Sequence, residues 1–165
     1  MKSGWAAMAA GMAMAVLACG QAQAKDAARE IPKGGLTLPE VVTWLQGAGY
    51  KAEVKTTKDG EKFIGTAAEG VNFDLYLDDC DKDKRCTSLE FVAGFDLKNG
   101  LKDGQAKINE WNSSKRWLRG YVDKEADPWC IMDISVAPGR TYDALDDDFT
   151  TWRSMMNEFK SFIGW

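Results

Sequence analysis

The sequence contains no histidine. That removes the side chain that titrates nearest neutral pH, the usual general base of a triad and the commonest metal-ligating nitrogen. Carboxylate, lysine and cysteine chemistry remain, so composition argues against an enzyme without excluding one. Lys and Arg number 21 against 25 Asp and Glu, a net charge of −4. No basic patch stands out, which argues against nucleic acid as a partner. Past the N-terminus no apolar run approaches the ~20 residues that span a bilayer. There is no repeat of fixed period and no low-complexity tract. Cysteines are few: Cys19, Cys80, Cys86 and Cys130. Thiolate zinc and iron–sulfur sites use about four soft ligands, and this chain has two cysteines close together and no second pair.

What is present begins with a leader. Lys2 precedes an apolar run from Trp5 to Ala18, and Ala22-Gln23-Ala24 has the small-x-small pattern of a signal peptidase site. Residues 1–24 read as a signal peptide cleaved after Ala24, which places the protein in the periplasm or outside the cell. A second reading stays open. Val16-Leu17-Ala18-Cys19 is similar to a lipobox, in which Cys19 would carry the lipid, although Leu17 is unusual there. Residues 25–35, KDAAREIPKGG, read as a flexible lead-in, and 36–165 as a single domain.

The domain opens on a helix. Thr37 and Glu40 make a capping box, Leu36 and Val41 a hydrophobic staple, and Leu38, Val41, Val42 and Leu45 recur at helical spacing. Gly47 and Gly49 end it. Two alternating runs, YKAEVKT and KFIGTAA, flank Asp59-Gly60, a hairpin signal. A third strand, residues 71–77, puts Val71, Phe73, Leu75 and Leu77 on one face and Asn72, Asp74 and Tyr76 on the other. Leu89, Phe91, Ala93 and Phe95 mark a fourth. A short helix fits 104–113, and RWLRGYV and PWCIMDISV read as two further strands. Leu145, Phe149, Trp152, Met156, Phe159 and Ile163 line one face of a last helix, with Asp146, Asp147 and Asp148 in its early turns. The order α-β-β-β-β-α-β-β-α predicts an α+β domain: an antiparallel sheet of about six strands with helices packed on it.

Between the third and fourth strands lies LYLDDCDKDKRCTSLEF. Asp79, Asp81, Asp83 and Glu90 fall on EF-hand ligand positions, but Lys84 replaces the turn glycine and the flanks are strands. A redox switch prefers Cys-x-x-Cys, and the spacing here is wider. The reading that fits best is a stapled turn, with Cys80 and Cys86 joined across the strand ends and contributing ~2 kcal/mol. Cys130 shares parity with Met132, Ile134 and Val136 and reads as a small core hydrophobe.

The segment INEWNSSKRWLRGY gathers Trp111, Asn112, Lys115, Arg116, Trp117, Arg119 and Tyr121. Trp, Tyr and Arg are enriched at binding hot spots, so these are candidate partner-binding residues. The competing reading is structural: Asn112 as a helix terminator, Trp111 as core, the cations as counter-charges. Asp133 interrupts an apolar strand on the face of Trp129 and Ile131. A partly buried carboxylate needs a partner, and Arg116 or Arg119 would form its structural ion pair. No catalytic residue, metal site or cofactor is expected.

Cys80…Cys86-Thr-Ser-Leu-Glu-Phe-Val-Ala-Gly-Phe95, Asn109-Glu-Trp-Asn112 with Lys115-Arg116, and Met132-Asp133-Ile134 together resemble the YbjN-domain proteins. The resemblance covers about residues 36–163. It implies a fold like that of type III secretion chaperones and a place among bacterial sensory-transduction regulators, and it supplies no catalytic residues. By fold analogy it implies a protein or peptide partner, with a homodimer as a further expectation. The leader departs from cytoplasmic members of that family. The sequence therefore favours a periplasmic, non-enzymatic binding module over a small carboxylate-based enzyme or a lipid-anchored envelope protein. N-terminal sequencing of the exported protein is expected to begin at Lys25; a blocked, lipidated Cys19 would give the lipoprotein reading instead.

Overall fold

The computed structural model describes residues 29–165. The cleavage site after Ala24 and the Cys19 lipobox lie outside the described residues. Helix α1 (Leu38–Gly47) starts where its signals predict. The Thr37 N–H donates to Glu40 Oε2 at 2.8 Å, and Leu36 and Val41 are both fully buried as the staple requires. Strands β1 (Glu53–Thr56) and β2 (Lys62–Ala68) follow as a hairpin. The first strand begins later than its alternation suggests, because the Tyr50 N–H is already spent on the Leu45 carbonyl at the end of α1.

Strands β3 (Val71–Cys80) and β4 (Cys86–Gly94) form the next hairpin. The third strand continues past Leu77 because backbone pairing does not require apolar side chains, and Asp78 still pairs with Ser88. Helix α2 (Gly104–Ser114) leads to β5 (Arg119–Val122), then β6 (Pro128–Ser135) and helix α3 (Tyr142–Ile163). The fifth strand starts three residues later than expected, since Trp117 turns through φ 72° and the Leu118 N–H bonds back to Arg116.

All pairings in the sheet are antiparallel, and the strand order is β1-β2-β3-β4-β6-β5. The sixth strand inserts between β4 and β5, leaving β1 and β5 as the edges. One face carries the core: Ile64, Phe73, Leu75, Leu89, Phe91, Cys130 and Met132 are buried there. Against it lies the predicted stripe of α3, with Leu145, Phe149, Trp152, Met156, Phe159 and Ile163 all buried. Trp152 sits 5.5 Å from both Phe73 and Phe91, centroid to centroid. The Asp triplet of α3 does more than favour its dipole. Asp146 accepts the Trp44 indole N–H at 2.7 Å, and Asp148 pairs with Arg140.

The lead-in differs from expectation where it is described. Ile31 is buried, its N–H donates to the Arg140 carbonyl at 2.8 Å, and the Arg29 guanidinium lies 3.8 Å from the Tyr142 ring centroid. Leu36 bridges to Cys86 and Glu30 to Thr141. Residues 29–36 are thus a strap, held by backbone bonds that a hydropathy pattern does not reveal. Among the described residues no helix is long and apolar enough to cross a membrane.

Gly120 lets side chains of α2 and α3 approach β5 closely. A Cβ there would stand 2.9 Å from the Phe159 ring and 3.1 Å from Ile108. Gly120→Ala is therefore expected to cost about 1–3 kcal/mol of overpacking, read as a lowered urea midpoint with unchanged slope.

Candidate functional site

The INEWN segment turns out to be largely a clasp. Trp111 is fully buried, and its indole N–H donates to the Leu118 carbonyl at 3.0 Å. Asn112 accepts from the Gly120 N–H at 2.8 Å and donates to the Gly120 carbonyl at 3.1 Å. One side-chain amide thereby imitates a neighbouring strand and closes the edge of β5. Lys115 pairs with Glu158 of α3. Trp111 is thus corrected from candidate binding residue to packing residue, Asn112 spends its amide on the Gly120 backbone while staying exposed, and Lys115 ties the end of α2 to α3. Trp117, Arg119 and Tyr121 remain outside. Trp117 is 67% exposed, and the Arg116 guanidinium lies 5.0 Å from its ring centroid.

The β3–β4 loop is stapled: Cys80 and Cys86 form a disulfide and face each other in the β3–β4 register. Asp81 organises the turn, its Oδ1 accepting the N–H groups of Asp83 and Arg85 at 2.9 Å each. Arg85 reaches across to Glu40 through both guanidinium ends, at 3.0 and 2.9 Å, and to the Gly35 carbonyl at 2.8 Å. Hydrogen bonding from Arg85 holds the Glu40 carboxyl below its usual range. Sequence reasoning missed this pair because nothing local links residues 40 and 85. Among the described residues the free cysteine is Cys130, buried at Gly120 and Ala93, and burial pushes its thiol strongly upward. A thiol held protonated is a poor nucleophile.

The three helices all lie on one side, so the other face of the sheet is open. Register sets its rows. Lys55 stands opposite Phe63, Tyr76 opposite Glu90, and Glu90 opposite Asp133. The Phe63 and Tyr76 rings stack at 5.1 Å, closing the row from β1 to β6. In the adjoining row Asp74, Val92, Ile131 and Arg119 follow one another. At the far side Tyr121 stacks on Trp129 at 6.1 Å, and the Trp129 ring lies over Gly94, where a Cβ would meet it at 2.8 Å. Two aromatic pairs thus flank a centre of carboxylates, in an open depression lined by Glu61, Tyr76, Asp78, Asp79, Ser88, Glu90 and Asp133.

Like charges directly opposite on a sheet repel. Glu90 and Asp133 are so placed, and Arg119 answers both, at 3.8 and 3.3 Å. The expected ion pair of Asp133 is therefore with Arg119. Its setting differs from expectation, because Asp133 is exposed on the open face rather than partly buried. Burial, then Asp133 and Asp78, raise the Glu90 carboxyl above its usual range, with Arg119 opposing. Asp78 is raised by burial and by Asp79 and Asp133, and Asp74 by burial. Of these residues the alternation of β3 had already placed Asp74 and Tyr76 on the solvent side. What no local pattern shows is the strand order that sets Glu90 against Asp133.

A raised carboxyl binds its proton more tightly in the folded chain. Ionised Glu90 therefore subtracts from stability above its folded pKa, and the loss disappears as pH falls through the ordinary glutamate range. Glu90→Gln is expected to stabilise the protein at pH 7 by roughly 0.2–1 kcal/mol, the scale of one cross-strand charge pair. The gain should fade on acidification, as paired melting curves would show. A gain that persists at low pH would mean packing, not charge, is responsible.

No curated protein matches the chain. A family model described as "Putative bacterial sensory transduction regulator" matches residues 37–165, which spans both hairpins, the clasp and the whole open face. On that match the chain belongs to the YbjN family.

Proposed function

We propose that this protein is an exported, non-enzymatic regulatory module that recognises a protein partner on the open face of its sheet. The observation carrying this reading is the composition of that face: a central cross-strand pair of carboxylates, Glu90 and Asp133, between the Phe63–Tyr76 and Tyr121–Trp129 stacks. A layer that the fold leaves uncovered holds aromatic side chains and unresolved negative charge together. The partner it suits presents an extended basic segment. A Lys or Arg side chain there would relieve the repulsion between the carboxylates and rest against an aromatic ring. Trp117 supports the same reading at the rim, being a bulky residue both exposed and held at positive φ. The regulator family agrees with such a role, and the leader and disulfide agree with an oxidising compartment. The raised carboxyls stand on an open surface rather than in a water-excluding cleft, which suits recognition better than general-acid catalysis.

A photoreactive residue in place of Asn72, on the open face, is expected to crosslink in exporting cells to a segment rich in Lys or Arg. Glu90→Lys should abolish that product. The same probe at Ser154, outside on α3, should leave it unlabelled. Labelling from Ser154 alone, or of a segment without basic residues, would overturn the reading.

A further inference from the structure

The helical side of the domain carries a cavity of its own. It lies between α1 and the start of α3 and has a volume of about 550 Å³. Glu40, Thr43 and Trp44 line it from α1, Tyr142 and Asp146 from α3, and Arg29 of the strap completes the lining. Small-molecule sites occupy roughly 300–1,000 Å³. Glu40 and Trp44 stand one turn apart on their helix, as Tyr142 and Asp146 do on theirs, and side chains so spaced share a helix face. Trp44 is buried and Tyr142 half-buried, so the deeper lining is aromatic.

Charge sets this cavity apart. Three charged side chains line it, and the Glu40 carboxylate is already answered by Arg85. Among the described residues neither Arg29 nor Asp146 forms an ion pair, with each other or with a neighbour. Each is held by an aromatic side chain instead. The Arg29 guanidinium lies 3.8 Å from the Tyr142 ring centroid, and Asp146 Oδ1 accepts the Trp44 indole N–H at 2.7 Å. Opposite charges that line one cavity without closing on each other suit a ligand that carries both. A simple anion would meet Asp146, and a simple cation would meet Arg29. A zwitterion satisfies the two at once. Its carboxylate takes the forked N–H groups of the guanidinium, and its ammonium donates to Asp146 Oδ2.

We propose that this cavity binds a free α-amino acid with an apolar side chain. Both charges of such a molecule sit on one carbon, so it can bridge Arg29, seated on Tyr142, to Asp146 one helical turn away. Its side chain then rests on Trp44 and Tyr142. The site lies on the helical side of the sheet, away from Glu90 and Asp133, and is independent of what the open face recognises.

Indole NMR on the protein purified from exporting cells tests the assignment. L-Phenylalanine and L-leucine are expected to shift the Trp44 Nε1–H resonance saturably. Hydrocinnamate and phenethylamine, each keeping one of the two charges, should bind about tenfold more weakly than phenylalanine, or worse, since a charged hydrogen bond is lost in each case. Arg29→Gln and Asp146→Asn, the latter still offering an oxygen to the indole, should each weaken phenylalanine binding by about the same factor. A Trp44 resonance that stays put up to the solubility limit of both amino acids would overturn the proposal. So would single-charge analogues that bind as well as phenylalanine, or folded variants with undiminished affinity.

Discussion

The seam between α3 and the middle of the sheet is the contact on which the rest depends. Trp152 and Phe149 lie against Phe73 and Phe91, the inward residues of the two central hairpin strands. Phe149 also meets Trp44 and Tyr50, which carries α1 into the same cluster, while Phe159 meets Trp111 and brings in α2. One long amphipathic helix therefore collects all three helices on a single face. Dispersion and apolar burial over so many aromatic rings favour that arrangement strongly. Its direct result is a sheet with one dry side and one wet side, and the wet side is where the unusual electrostatics occur.

A set of polar clasps completes what the core begins. The Asn112 amide, the Arg85–Glu40 pair and the Cys80–Cys86 bridge each settle groups that packing leaves unsatisfied or loose: a strand edge, a helix start and strap, and a hairpin end. The first two involve backbone groups, which are costly to leave unpaired where water is excluded. The clasps also distribute charge unevenly. Arg85 and Lys115 are committed to Glu40 and Glu158, on the helical side or the loop end. The centre of the open face keeps its carboxylates with Arg119 and Lys55 as the nearby cations.

Element types and order were legible because each rests on a local period. The spacing from Leu145 to Ile163 names both a helix and its buried face, and the alternation from Val71 names a strand and its two sides. The Cys80–Cys86 staple was legible because a hairpin brings its own ends together. The rest required partners far apart in the chain. Arg85 and Glu40 meet only through the strap, and Glu90 meets Asp133 only because β6 slips between β4 and β5. Asp133 looked like an intruder in an apolar strand because Trp129 and Ile131 share its face. On this sheet those two are also solvent-side residues, packed along the surface rather than beneath it. The INEWN segment left two readings open for a related reason: Trp and Asn serve equally well at an interface with another protein and at one between α2 and β5.

The strap gives the folding reaction a direction. It is the earliest described part of the chain, yet Glu30 bridges to Thr141 and the Ile31 N–H rests on Arg140, just ahead of the last helix. Closing so large a loop is entropically expensive until the elements in between have formed. The strap must therefore dock late, after α3 has settled on the sheet, and a chain emerging N-terminus first cannot fasten its own beginning until its end arrives. Contacts made after the rate-limiting step chiefly slow unfolding. The strap works as a latch on the finished domain, lengthening its folded lifetime while fastening nothing in the incomplete chain.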